Sequence, residues 1–297
     1  MKIRVIGRWA PRWLEFEGGY FSADLSFEQA DALLGVYRPL PELLRFEGPR
    51  AWYSGEPYHN PTMGRSIRAW QPVLRRLPMR DHLSHAHPDP GNQVPMITHW
   101  DPLESRQGGE RLARAVAVAS NHGGMPWLRW PEIRLRNRFC LHSGVDLYGD
   151  PRRWCWHSFP WLGLPGNFRG AIPGGWGQEP KLALMSRYRV AVCLENACEP
   201  NYFTEKFVDA VRSGCTPIYH AHPTVRDGVL AGARWVDPAD FDFDPEATLA
   251  HALAQPLGEI QEANAVWLSG EALARTHGHR VYTQIARFLA GRLSARI

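Results

Sequence analysis

Tyr188-Arg-Val-Ala-Val-Cys-Leu-Glu-Asn196, then Tyr202-Phe-Thr-Glu-Lys206, then Gly214-Cys-Thr-Pro-Ile-Tyr219: this stretch decides how the chain folds. The apolar run Val190–Leu194 is short, rich in β-branched residues and bounded by turn residues, which predicts a buried parallel strand. From Thr204 onward Phe207, Val208, Ala210 and Val211 recur at helical spacing. Thr204 is placed to cap that helix, and Gly214 to stop it in the left-handed conformation. Thr216–Tyr219 reads as a second buried strand. Strand, helix and strand make one βαβ unit of a parallel sheet, and the helix begins at the carboxyl end of the first strand, where open α/β sheets bind ligands. Free N–H groups, the helix dipole and the Lys206 ammonium predict an anion there, a phosphate above all. The Glu205 carboxylate beside it suits two vicinal hydroxyls, as on a ribose. Together they predict a sugar nucleotide.

Composition sets the outer limits. The chain has 297 residues, of which 44% are hydrophobic and 22% charged, enough for two cores. A net charge of +4 with arginines spread along the chain gives no support to a nucleic-acid partner. Cys140, Cys155, Cys193, Cys198 and Cys215 are odd in number and lack zinc-site spacing, which predicts reduced thiols in a cytoplasmic protein. Neither a signal peptide nor a stretch of transmembrane length is legible, which leaves room for peripheral contact with the inner membrane.

The three quoted motifs, with Pro223 after them, resemble the donor-site signature of the bacterial-type α1,3/α1,4-fucosyltransferase family. That signature runs approximately Tyr-Lys-Phe-x-x-x-Phe-Glu-Asn, Tyr-(Val/Ile)-Thr-Glu-Lys and Val/Ile-Pro-(Ile/Val). The resemblance extends over roughly residues 115–255. It implies an α/β GT-B fold, two Rossmann-like domains facing a cleft, with a C-terminal helix that crosses back. It implies GDP-fucose as donor, a glycan or glycolipid acceptor and no cofactor or catalytic metal. Glu205 would meet the ribose and Lys206 the phosphates; Asn196 and Tyr202 match positions that contact the nucleotide, and Thr204 joins the donor set. An arginine at the start of the helix Arg134–Leu141 would face the pyrophosphate, Arg134 by the usual spacing and Arg136 by that of some bacterial members. Ser54-Gly-Glu-Pro57 is similar to the Ser-Gly-Glu-Asn loop of bacterial members, which makes Glu56 the general base. Two departures flank the sugar end: Leu194 in place of Phe, and Ala221-His222 where Gly-Ser is common. They motivate a second reading with another nucleotide-linked sugar, beside a third of a binding protein without catalysis.

Along the chain, Lys2–Gly7 and Arg50–Ser54 read as strands, Trp9–Tyr20 as irregular and Ser26–Leu34 as a helix. Arg75–Pro102 reads as a loop; a metal-dependent hydrolase built on His82, His85 and His87 ranks below that. Leu103–Arg111 is linker-like, so the expected domains are 1–110, acceptor-side, and 111–297, donor-side, with the helix at about 281–293 packing back on the first. Ala115–Ala119, Val145–Gly149 and Trp235–Asp237 read as strands, Pro245–Leu253 as a helix. Glu195 reads as buried and structural, Ile218 and Tyr219 as core.

Overall fold

The structure, a computed structural model, describes residues 1–7, 10–37, 40–54, 72–73, 75–106, 109–120, 131–154, 163–175 and 177–295. Its strands are β1 (Lys2–Gly7), β2 (Trp13–Phe16), β3 (Gly19–Ser22), β4 (Ala32–Val36), β5 (Arg50–Ser54), β6 (His82–Ser84), β7 (Leu112–Val118), β8 (Val145–Tyr148), β9 (Phe168–Gly170), β10 (Tyr188–Val192) and β11 (Thr216–Ile218). The described helices of two turns or more are α1 (Pro131–Cys140), α2 (Gln178–Met185), α3 (Glu205–Arg212), α4 (Pro245–Ala254), α5 (Leu257–Leu268) and α6 (Gly278–Ser294). They divide into two compact units. The first takes Met1–Trp100, Glu199–Tyr202 and Ala274–Ile297; the second takes Asp101–Cys198 and Phe203–Leu273.

In the first unit six strands lie in the order β2-β3-β1-β4-β5-β6, parallel except for the β2–β3 hairpin. Side chains alternate between its faces, as the two-residue repeat of a strand demands. Ile3, Val5, Ala32, Leu34, Ala51 and Tyr53 face one core, which α6 closes with Val281, Tyr282, Ile285 and Leu289. Leu33 and Trp52 face the opposite core with Leu43 and Phe46.

Three expectations fail in this unit. Trp9–Tyr20 is not irregular throughout, because β2 and β3 form within and beyond it, with Trp13 stacked on Tyr20 at 4.2 Å between ring centroids. Ser26–Leu34 is not a helix: Ala32–Val36 is a central strand with every residue buried. A fully buried apolar run carries no period that separates strand from helix. Arg75–Pro102 also holds more than loop, since His82 opens β6 and His82, His85 and His87 are all buried. Burial, followed by the charge of His87, pushes the His82 imidazole below its ordinary value.

The second unit is a five-stranded, wholly parallel sheet in the order β9-β8-β7-β10-β11. Numbered from β7, that is 3-2-1-4-5, the doubly wound order whose switch point lies between β7 and β10. Ala115, Ala117, Val190, Val192 and Ile218 face one core with Phe139 and Leu249. Val116 and Ala191 face the other, against Phe207, Val208 and Val211 of α3 and Trp267 of α5. Leu103–Arg111 belongs here: the Arg106 N–H donates to Arg212 O at 2.7 Å, and Arg111 Nη1 donates to the carbonyls of Tyr188 and Ser213. Trp235–Asp237 does not extend the sheet as a strand; Val236 makes a single bridge to Ile218. Among the described residues no helix is long and apolar enough to cross a membrane.

Gly214 ends α3 with φ of 68°, and its successor Cys215 donates back to Ala210 O at 3.0 Å. A Cβ on Gly214 would stand 2.2 Å from the backbone oxygen of Arg106. Gly214→Ala combines left-handed strain with overpacking, so a loss of about 2–3 kcal/mol is expected in urea denaturation. A loss below about 0.5 kcal/mol would contradict that packing.

Candidate functional site

The site grows from the carboxyl end of β10. Beyond Val192 the chain stays buried through Cys193, Leu194 and Glu195, whose side chain is 3% exposed. A carboxylate at that depth needs donors on both oxygens. Oε1 accepts from the Thr204 N–H at 3.1 Å, from the Thr204 hydroxyl and from the Tyr219 hydroxyl at 3.2 Å. Oε2 accepts from the Lys206 ammonium at 2.8 Å. Thr204 is the extended N-cap of α3, and its oxygen also accepts from the Lys206 N–H at 3.3 Å and from Lys206 Nζ at 3.1 Å. A hydroxyl has one proton to give and two lone pairs; all three are used.

Glu195 is therefore buried and structural, as its sequence reading expects, and is the hub of this cluster. Tyr219 is buried, as core placement requires, and also takes part through its hydroxyl. No local pattern announced either role, because both bonds join residues from separate elements.

Burial alone would lower the Lys206 pKa. The charges of Glu195 and Glu205, with the hydrogen bond that Lys206 donates to Glu195, outweigh it and hold Lys206 well above the ordinary lysine value. Glu205, half exposed, is pulled upward by burial and further downward by Lys206 and Lys181, so it stands below the usual carboxylate range. At neutral pH the pair is an ammonium and a carboxylate.

Arg136 lies on the buried face of α1 and is 5% exposed. Its Nε and Nη2 donate to Asn137 Oδ1 at 3.2 and 2.9 Å, and its Nη1 donates to Asn196 Oδ1. Its charge opposes that of Lys206, which places both cations in one field. Arg134, favoured by spacing, sits on the exposed side of α1 and outside this cluster. The phase of the helix separates them: Ile133, Arg136, Asn137 and Cys140 turn inward together.

The structure thus brings Arg136, Asn196, Thr204, Glu205 and Lys206 to one edge of the second sheet. Tyr202 belongs to the first unit, where its ring packs on His85 with centroids 5.2 Å apart. Glu56 lies outside the described residues, as do Trp156, Trp161, Trp176 and Cys155. Trp154 is buried and its Nε1 donates to Ala119 O at 2.8 Å, which fastens its loop to the core. No group of three metal-ligating side chains occurs among the described residues.

Arg136 and Lys206 balance Glu195 and Glu205 in charge, but the four groups differ in depth. Glu195 is sealed away, whereas Lys206 is 25% exposed at the positive end of α3. An anion approaching the switch point meets an ammonium and helix N–H groups. The half-exposed Glu205 is left to accept from hydroxyls.

No family model matches the chain. Solved structures do resemble it. An α1,3-fucosyltransferase crystallised with GDP has a TM-score of 0.50 and 15% identity, over 97% of this chain and 90% of that one. A further α1,3-fucosyltransferase structure reaches 0.51 over the same shares, also at 15% identity. A UDP-forming α,α-trehalose-phosphate synthase from Burkholderia xenovorans, in complex with glucose-6-phosphate, gives 0.57 at 14% identity over 88% and 72% of the two chains. Such identities speak for architecture alone, and the chain has the α/β GT-B fold that these glycosyltransferases share.

Proposed function

We propose that the protein is an inverting glycosyltransferase that takes fucose from GDP-fucose and passes it to a hydroxyl of a glycan or glycolipid acceptor. The observation that carries this reading is the Glu195–Thr204–Lys206 clamp. It fixes an ammonium at the start of α3, with Arg136 and Asn196 beside it, at the switch point of a doubly wound sheet. Lys206 and Arg136 neutralise the diphosphate as it departs, the first as a point charge and the second as a planar fork. Glu205 accepts from the ribose hydroxyls. Glu56, assigned by resemblance, removes the acceptor proton as the donor carbon gains oxocarbenium character. The reaction uses no cofactor, and the enzyme works in the cytoplasm or at the inner membrane. The likeness of fold to an α1,3-fucosyltransferase crystallised with GDP supports the choice of donor.

One observation favours a second reading. The UDP-forming synthase gives the higher TM-score, 0.57 against 0.50, so a UDP-linked sugar is the alternative donor.

Both are tested by following nucleotide release from GDP-fucose and from UDP-glucose in the presence of bacterial glycolipid acceptors. GDP release is expected. Glu56→Gln should lower kcat by about 10²–10⁴ while the donor KM stays within about twofold. Full activity of that variant would remove Glu56 as base, and release of UDP alone would replace the donor.

A further inference from the structure

The carboxyl edge of the second sheet also holds a cavity of about 340 Å³, beyond β7 on the side away from β10. Two loops wall it: Asp150, Pro151 and Arg152 follow β8, and Ala171, Ile172 and Gly175 follow β9. The two strands pair in parallel, and the Gly149 N–H donates to Gly170 O at 3.0 Å, so both loops leave the same edge side by side. β8 is the neighbour of β7, and β9 is the next strand out. At about 5 Å per strand, their ends lie about 5 and about 10 Å from that of β7 at the switch point. α1, which carries Arg136, joins β7 to β8. A nucleotide whose diphosphate meets Arg136 therefore has its base within reach of this cavity.

Apolar walls with a single carboxylate suit a flat ring that carries polar groups on one edge. Pro151, Ala171 and Ile172 supply the walls, and Asp150 supplies the carboxylate. Asp150 Oδ1 accepts from the Arg152 N–H at 2.9 Å and from Arg152 Nε at 3.3 Å. Oδ2 accepts from Arg152 Nη2 at 3.4 Å, and Arg153 Nε stands 3.8 Å away. The bond from the backbone N–H belongs to the turn that opens the short helix Pro151–Trp154. The others are long and come largely from a guanidinium that is 86% exposed, so a ligand can take their place. The hydrogen bond from Arg152 holds the carboxyl below the usual carboxylate range, which makes it an anion at neutral pH.

We propose that this cavity takes the nucleobase of the donor and that the Asp150 carboxylate reads it as guanine. The inference rests on the GDP-sugar reading above, and it names the group that separates the two candidate donors.

A carboxylate accepts on two oxygens and donates nothing. Guanine presents two adjacent donors on its pairing edge, N1–H and the N2 amine, which meet the two oxygens side by side. Oδ1 keeps the backbone bond with one lone pair and offers the other to the base. Uracil presents one N–H between two carbonyl oxygens, and those oxygens face the carboxylate with like charge. Adenine and cytosine put an acceptor beside their amine, which leaves one carboxylate oxygen opposed. The Arg152 guanidinium, released from Asp150, lies against the face of the base.

The test is a calorimetric titration of the full chain and of Asp150→Asn with the diphosphates of guanosine, inosine, xanthosine and uridine. Inosine lacks the 2-amine of guanosine, and xanthosine carries a carbonyl in its place. The parent should bind GDP at least about tenfold more tightly than inosine diphosphate, the share of one hydrogen bond to a charged group. Asp150→Asn keeps the backbone turn, because the amide oxygen still accepts. It should weaken GDP by at least about tenfold, leave UDP within about twofold and tighten xanthosine diphosphate by at least about tenfold, as the amide N–H meets the new carbonyl. Equal affinity of the parent for GDP and inosine diphosphate overturns the role of Asp150 and leaves the GDP-sugar site standing. So does an Asp150→Asn variant that binds GDP unchanged, gains nothing for xanthosine diphosphate or weakens every nucleotide alike. A parent chain without preference for GDP over UDP removes both the inference and the reading beneath it. Should Asp150→Asn fail to fold, the comparison of GDP with inosine diphosphate on the parent decides by itself.

Discussion

Lys206→Ala is expected to lower the unfolding free energy by about 3–5 kcal/mol, the usual cost of leaving one member of a buried ion pair without its partner. Glu195 is 3% exposed in the parent chain. Its Oε1 keeps Thr204 and Tyr219, but Oε2 loses the ammonium that stands at 2.8 Å. The substitution therefore confounds two effects, because a chain that binds no nucleotide could have lost either the cation or the fold. Glu195→Gln combined with Lys206→Met separates them. The amide still accepts from Thr204, the buried carboxylate is removed together with its ammonium partner, and most of the lost stability should return. Nucleotide affinity should not. Urea denaturation of the two variants measures the first quantity, and a loss below about 1 kcal/mol in Lys206→Ala would mean that Glu195 is far better solvated than the geometry says.

Stability is also expected to fall as pH rises from about 6.5 toward about 10, through His220. Its hydrogen bond to Asp237, with a further contribution from the Cys198 side chain, raises the folded-state value to about 10 from an ordinary 6.5. A group raised on folding contributes fully below its unfolded pKa and ceases to contribute above its folded one. The imidazolium thus supports the fold at pH 6 and is lost on the alkaline side, with a slope of up to about 1.4 kcal/mol per pH unit. Asp237→Asn removes the main cause of the shift and should flatten the profile. Chemical denaturation of parent and variant across this range measures the difference; parallel profiles would contradict the His220–Asp237 pairing.

Much of the second sheet was legible because its signals are local. The β-branched run Val190–Val192, the Thr204 cap and Gly214 lie within one βαβ unit, and each is written in adjacent residues. The failures have the opposite character. Ala32–Val36 is buried on both faces, so its composition served a helix as well as a strand. β2 and β3 gain their identity from pairing with each other and with β1, which no window of sequence contains. At the candidate site, Lys206 and Asn196 lie within the quoted motifs, whereas the clamp that positions Lys206 joins Glu195 to Thr204 and to Tyr219 across three elements. Arg134 and Arg136 differ in helix phase: Ile133 and Cys140 mark the inward face of α1, and Arg136 lies between them on that face.

The most direct measurement is a calorimetric titration of the full chain with GDP, GDP-fucose and UDP, repeated on Arg136→Met. The account predicts that both guanine nucleotides bind more tightly than UDP. It also predicts that Arg136→Met weakens GDP by at least about 2 kcal/mol, the share of one charge-assisted bond to phosphate. Equal affinity for GDP and UDP, or an Arg136→Met variant that binds GDP as the parent does, would contradict the assignment of this cluster as a GDP-sugar site.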